Sequence, residues 1–231
     1  MPSAFRFYFL LPLLVFLAAC SPLKKYADTA PPWEKEIEGL EALDQTEHYS
    51  DQAILFVGSS SIRLWKNIQE DMAPYEAIRR GYGGAHFTDL IHFTKRLVAP
   101  HEVQAVVCFV ANDISGSDQD QKPKEVLKLF EFFVKQVREV KPNVPIFLIE
   151  ITPTNSRWAV WDQIREANHL MQDYCNKHPD LYFIATSAEY LGQDGKPRAD
   201  LFISDQLHMN QSGYDIWKRL IKDELNKVLH P

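Results

Sequence analysis

Ala53-Ile54-Leu55-Phe56-Val57-Gly58-Ser59-Ser60-Ser61 is the stretch on which the reading of this chain turns. Its first five residues are all apolar, as in a strand buried on both faces, which occurs where helices cover both sides of a parallel sheet. The run stops at a glycine and three serines, and residues 62–70 suit a helix. A serine at the carboxyl end of a strand, turned by glycine against a helix N-terminus, has an exposed hydroxyl with backbone N–H groups beside it. A nucleophile belongs there, provided that a base takes its proton and a carboxylate orients the base. Asp205-Gln206-Leu207-His208, just ahead of the helical stretch 212–228, offers both.

The pattern of that first stretch recurs along the chain. Strands are expected at 53–57, 76–82, 104–110, 146–151 and 181–185, with helices near 62–70, 88–97, 124–141, 158–177 and 212–228. Strands alternating with helices over about 180 residues make one three-layer α/β/α sandwich with a five-stranded parallel sheet. In such sheets ligands bind beyond the carboxyl ends of the strands. The second strand ends in Arg80-Gly81-Tyr82-Gly83-Gly84-Ala85-His86 and the third in Val110-Ala111-Asn112-Asp113. A glycine N–H and an asparagine amide at those ends can both donate to an oxyanion.

Ser, Gly, Asn, Asp and His at strand ends in this order resemble the SGNH hydrolases, also called the GDSL esterase/lipase family, over roughly residues 54–220. Gly58-Ser59-Ser60-Ser61 is similar to the family's first block, in the branch written Gly-Ser-Ser. The match makes Ser60 the nucleophile, Gly84 the second-block glycine, Asn112 the third-block asparagine, and Asp205 and His208 the Asp-x-x-His of the last block. Val110 stands where the third block has glycine. The resemblance implies a flavodoxin-like sheet and a serine esterase working through an acyl-enzyme. Its oxyanion hole would be made by the Ser60 and Gly84 N–H groups and the Asn112 amide, with no metal or cofactor. The substrate expected is a small-molecule or glycan ester with a short acyl group, since no lid-like apolar insertion is present to cover a long one. Two alternatives share the cleft: an O-acyltransferase that passes the acyl group to a sugar hydroxyl, and an inactive surface-tethered binding module.

Other residues invite plainer readings. Ser59 and Ser61 suit turn and cap positions, Asp113 a structural one, and Cys108 a buried small hydrophobe. His86 is near enough to the Gly84 loop to line the cleft. Arg157, Trp158 and Trp161, beyond the fourth strand, suit either a substrate wall or aromatic packing.

Ahead of the domain, residues 7–17 are almost wholly apolar behind Arg6, and Leu17-Ala18-Ala19-Cys20 follows. A membrane span needs about 20 apolar residues, so this shorter run reads as a signal-peptide core. Leu-Ala-Ala-Cys resembles the bacterial lipobox, which implies cleavage after residue 19 and lipid attachment at Cys20. Ser21 rather than Asp after the cysteine favours the outer membrane of a Gram-negative envelope. Residues 20–50, with Pro22, Pro31 and Pro32, read as a tether, open at its start, with an amphipathic helix over 33–48 packed on the domain. Removing the leader deletes Arg6 and takes the formal net charge from −6 to −7. A mildly acidic chain without a Lys/Arg block is a poor partner for nucleic acid, and membrane contact is expected through the lipid alone.

Overall fold

The computed structural model describes residues 21–229; the apolar leader and Cys20 lie outside the described residues. Five strands form one parallel sheet: β1 (Ile54–Gly58), β2 (Ala77–Gly81), β3 (Ala105–Phe109), β4 (Ile146–Ile149) and β5 (Leu181–Ile184). Their order is β2-β1-β3-β4-β5. Ile54 pairs with both Ala77 and Ala105, so the first three strands end level. The fold is the expected α/β/α sandwich, and all five expected strands are present to within two residues at either end. Every residue of β1 and β3 is buried, because helices cover both faces.

On one face lie α5 (Phe87–Val98), α6 (Pro123–Val140) and α7 (Trp161–Lys177), each packed on the next. α3 (Ser60–Leu64), α4 (Ile68–Met72) and α9 (Gln211–Leu229) cover the other, and α9 buries Tyr214, Trp217, Ile221 and Leu225 at helical spacing. A short α8 (Ser187–Tyr190) follows β5.

The single helix expected over 62–70 is instead α3 and α4, broken after Leu64. Trp65 leaves the helical region there, and its ring is fully buried. It stacks on Tyr214 with ring centroids 5.3 Å apart and donates from Nε1 to Asp71 at 2.7 Å. Tertiary packing of one indole outweighs the continuation of a short helix. The helix expected from 158 starts at Trp161, after a 3₁₀ segment over Asn155–Val160.

The stretch read as a tether is folded onto the domain. α1 (Pro22–Lys25), two 3₁₀ turns and α2 (Glu34–Leu43) wrap the β2 edge and α5. Pro22 and Pro31 each sit in a first helical turn, where the missing N–H costs nothing, so these prolines start turns rather than hold the chain open. Thr29 donates to the Thr88 carbonyl, and Arg96 of α5 grips Glu41 through Nε at 2.7 Å. Trp33 packs on Tyr82 at 5.5 Å between centroids, and Glu36 accepts the Gly83 N–H at 3.0 Å. Just beyond this strap, Arg80 of β2 is fully buried, with Nε bound to Asp44 at 2.8 Å and Nη1 to Glu47 at 3.0 Å.

Candidate active site

Gly58 ends β1 at φ +126°, a conformation that side-chain-bearing residues rarely adopt. A Cβ placed there would lie 2.0 Å from the Phe109 carbonyl oxygen. Glycine is therefore required for β1 and β3 to end side by side, and Ser59 then donates its N–H to the same carbonyl at 2.8 Å. Ser59 is buried at the N-cap position but its hydroxyl makes no capping bond. Ser60 is the first residue of α3, so its N–H has no intrahelical partner.

The Asp205–His208 loop comes from the far end of the chain and is fastened on several sides. Ile203 donates its N–H to the His208 carbonyl at 2.9 Å, Asn210 reaches the Asp200 carbonyl at 2.8 Å, and Ser156 donates to the Gln206 carbonyl at 3.2 Å. Gln206 takes a left-handed turn at φ 54°. One Asp205 oxygen accepts the N–H groups of Leu207 and His208, both at 2.9 Å, and the other meets His208 Nδ1 at 2.6 Å. His208 Nε2 is 3.0 Å from Ser60 Oγ. A carboxylate can only accept, so Nδ1 carries the ring proton and Nε2 offers its lone pair to the serine hydroxyl. Partial burial pushes the Asp205 carboxyl up, but the His208 ring and the two backbone N–H groups outweigh it and hold the group below its ordinary value.

A cleft of about 20 Å³ opens beside this chain of bonds, lined by Ser59, Ser60, Asn112, Arg157, Leu207 and His208 among others. By volume that is room for roughly one or two waters, or a methyl-sized group. A wider groove of about 610 Å³ lies between α7 and β5, and neither Ser60 nor His208 lines it. Asn112, just past β3, donates from Nδ2 to the Ala85 carbonyl at 2.8 Å. Gly84, at φ +62°, does not line the cleft; it stands one residue before Ala85 with the Trp33 ring packed over it. Val110 is buried, and the chain reaches Asn112 without a glycine at that position.

Asp113 is buried with one oxygen accepting the Phe87 N–H at 2.8 Å, tying the end of β3 to the start of α5. Burial pushes its carboxyl up to about 6, against the opposing pull of His86. His86 caps α5 with Asp89 rather than lining the cleft. Trp158 and Trp161 stack on each other at 5.9 Å and leave the cleft wall to Arg157. Cys108 is fully buried and its thiol is pushed up by that burial, as befits a packing residue. Among the described residues no three His, Cys, Asp or Glu side chains gather as a metal site would need.

The use made of Arg157 is not encoded in any local sequence pattern. Its guanidinium donates to the Ala111 carbonyl at 2.6 Å and to Asn112 Oδ1. The only signal for it was its place in the loop beyond β4, at the ligand-binding end of the sheet. The contacts of Trp33 and Glu36 with the Tyr82–Gly84 loop were missed too, since nothing local ties them to it.

The model of the GDSL-like Lipase/Acylhydrolase family matches residues 44–216, three quarters of the chain. The protein belongs to that family. As a GDSL acylhydrolase it acts on ester bonds. Solved structures similar to this acylhydrolase include a Streptococcus pneumonia protein named for platelet activating factor, 20% identical with a TM-score of 0.73 over 88% of this chain and 97% of that one. A GDSL-like lipase from Bacteroides thetaiotaomicron is 16% identical with a TM-score of 0.69, covering 83% and 97% of the two chains. A lipase/acylhydrolase from Enterococcus faecalis is 20% identical with a TM-score of 0.61, covering 76% and 96%. At these identities the likeness is one of fold. Comparison with curated proteins gives no match.

Proposed function

We propose that this acylhydrolase cleaves carboxylic esters of short acyl groups through a Ser60–His208–Asp205 triad and a covalent acyl-enzyme. The observation that supports it best is the continuous path from Asp205 through His208 to the Ser60 hydroxyl, with bonds of 2.6 and 3.0 Å. His208 Nε2 takes the Ser60 proton as Oγ attacks the ester carbonyl carbon. The alkoxide that develops on the carbonyl oxygen is met by the Ser60 N–H and by the Asn112 amide, which both line the cleft where Gly84 does not. His208 then returns the proton to the leaving alcohol. Water, deprotonated by the same imidazole, attacks the acyl-enzyme and releases the acid and free Ser60. The small volume beside Ser60 favours an acetyl-sized group over a long chain. Ser60→Ala should lower kcat/KM by at least about 10⁴-fold in an assay of p-nitrophenyl acetate, because triad members act as a unit. Ser59→Ala and Ser61→Ala should keep most activity. Equal labelling of wild type and Ser60→Ala by a fluorophosphonate probe would show that the nucleophile lies elsewhere.

We also propose that Cys20 carries a lipid and holds the enzyme on the bacterial envelope. The support is the Leu17-Ala18-Ala19-Cys20 sequence behind a short apolar core. A diacylated cysteine with a third acyl chain anchors firmly, where a single chain binds only marginally.

A further inference from the structure

We propose that Arg157 is a positioning residue: it sets which way round the Asn112 amide stands, and so which atom of that amide faces the reacting carbonyl. The inference rests on the reading of Asn112 as an oxyanion donor given above.

The oxygen and nitrogen of an asparagine amide differ little in shape, so only their partners decide the orientation. Here both partners are unambiguous. Arg157 Nη2 can only donate, and it stands against Asn112 Oδ1. The Ala85 carbonyl can only accept, and it stands 2.8 Å from Nδ2. Turning the amide over would set an NH₂ group against a guanidinium and an amide oxygen against a carbonyl oxygen, losing two bonds and creating two repulsions. The second Arg157 bond, from Nη1 to the Ala111 carbonyl at 2.6 Å, fixes the backbone immediately before Asn112 as well.

The amide nitrogen carries two protons and the Ala85 carbonyl takes one. The other remains for the cleft that Asn112 shares with Ser60, His208 and Arg157. The guanidinium is half-buried and no carboxylate comes within ion-pair distance of it among the described residues, so its charge acts on neutral acceptors. A cationic donor on Oδ1 draws electron density from the amide and strengthens the N–H donors at its other end. Arg157 thus acts on the oxyanion at one remove, through Asn112.

A double-mutant cycle on the full-length enzyme tests this. Arg157→Met keeps a long unbranched side chain but removes every donor. With p-nitrophenyl acetate it should lower kcat about 10- to 100-fold with KM within about threefold, below the roughly 10²–10³ expected for loss of the amide itself. In the Asn112→Ala background the same substitution should lower kcat by less than about threefold, because its only route to the oxyanion is gone. Arg157→Lys, which keeps one charged donor, should restore part of the loss in the wild-type background alone. If Arg157→Met does not fold, Arg157→Lys and Arg157→Gln carry the same cycle. Equal losses in both backgrounds, or a loss confined to KM, would overturn the proposal by placing Arg157 directly on the substrate. Full kcat in Asn112→Ala, with Ser60→Ala inactive, would overturn it while leaving the triad standing. An active Ser60→Ala would instead bring down the triad reading.

Discussion

Asp113, next to Asn112 just past β3, is buried, with one oxygen on the Phe87 N–H and the other without a partner. Burial disfavours the charge and pushes its carboxyl up from 3.8 to about 6, with His86 opposing the rise and Asp89 adding to it. Since the folded value is raised, the folded protein holds this proton to higher pH than the unfolded chain does. The stability tied to it is complete below about pH 4 and is lost as pH rises through about 6. A carboxyl held at about 6 rather than 3.8 corresponds to about 3 kcal/mol, or roughly 6–12 °C in Tm for a domain of this size. His86, lowered by burial but raised further by Asp89 and Asp113, loses its own contribution in the same direction. The perturbation that isolates Asp113 is Asp113→Asn, which leaves an oxygen to accept the Phe87 N–H and cannot ionise. Thermal melts of both proteins from pH 4 to 8 at constant ionic strength should show wild type losing stability across pH 4–7, and the variant losing about 3 kcal/mol less. The absolute Tm of the variant is not the measure, because a buried NH₂ without an acceptor costs about 1–3 kcal/mol at every pH. Parallel curves for the two proteins would refute the reasoning.

Other outcomes are equally open to measurement. Asp205→Asn should preserve the fold, since its oxygen can still accept from Leu207 and His208, but its NH₂ would face His208 Nδ1 and drive the ring proton to Nε2. That should lower kcat by up to about 10⁴-fold at unchanged Tm, and activity within twofold of wild type would show that Asp205 does not orient the base. Gly58→Ala should be destabilising by several kcal/mol in denaturant melts, from a left-handed φ and a Cβ 2.0 Å from the Phe109 oxygen; an unchanged midpoint would contradict that geometry. Cys20→Ser should move esterase activity from the membrane fraction to the soluble pool while leaving kcat/KM intact. Wild-type activity found wholly in the soluble pool would leave a plainly secreted enzyme.

What the sequence disclosed follows from which interactions are local. Runs such as 54–57 and 105–109 announce strands because burial on both faces leaves no polar positions. Ser60, Asp205 and His208 were legible because a glycine turn and an i, i+3 pair are short-range patterns. The break at Trp65 was not, since the force that makes it comes from Tyr214 and Trp217, about 150 residues away. Arg157 is 45 residues from its acceptor on Asn112, and Glu36 is 47 from Gly83. No local pattern encodes either contact. The strap differs for another reason: its prolines suggest a chain held open at its start, although proline in a first helical turn is a starter.

The strap bears on where this enzyme can be cut. The family match begins at residue 44, and a chain started there would keep Asp44 and Glu47 on the buried Arg80. It would lose Trp33 and Glu36, and with them the outer support of Tyr82, Gly83 and Gly84. A chain started at residue 51, where the first strand is about to begin, would in addition strand a guanidinium in the interior, a loss of about 3–5 kcal/mol. Two trimming sites seven residues apart thus separate two kinds of damage: the longer fragment retains its fold with a loosened Tyr82–Gly84 loop, and the shorter one gives up a large part of its stability.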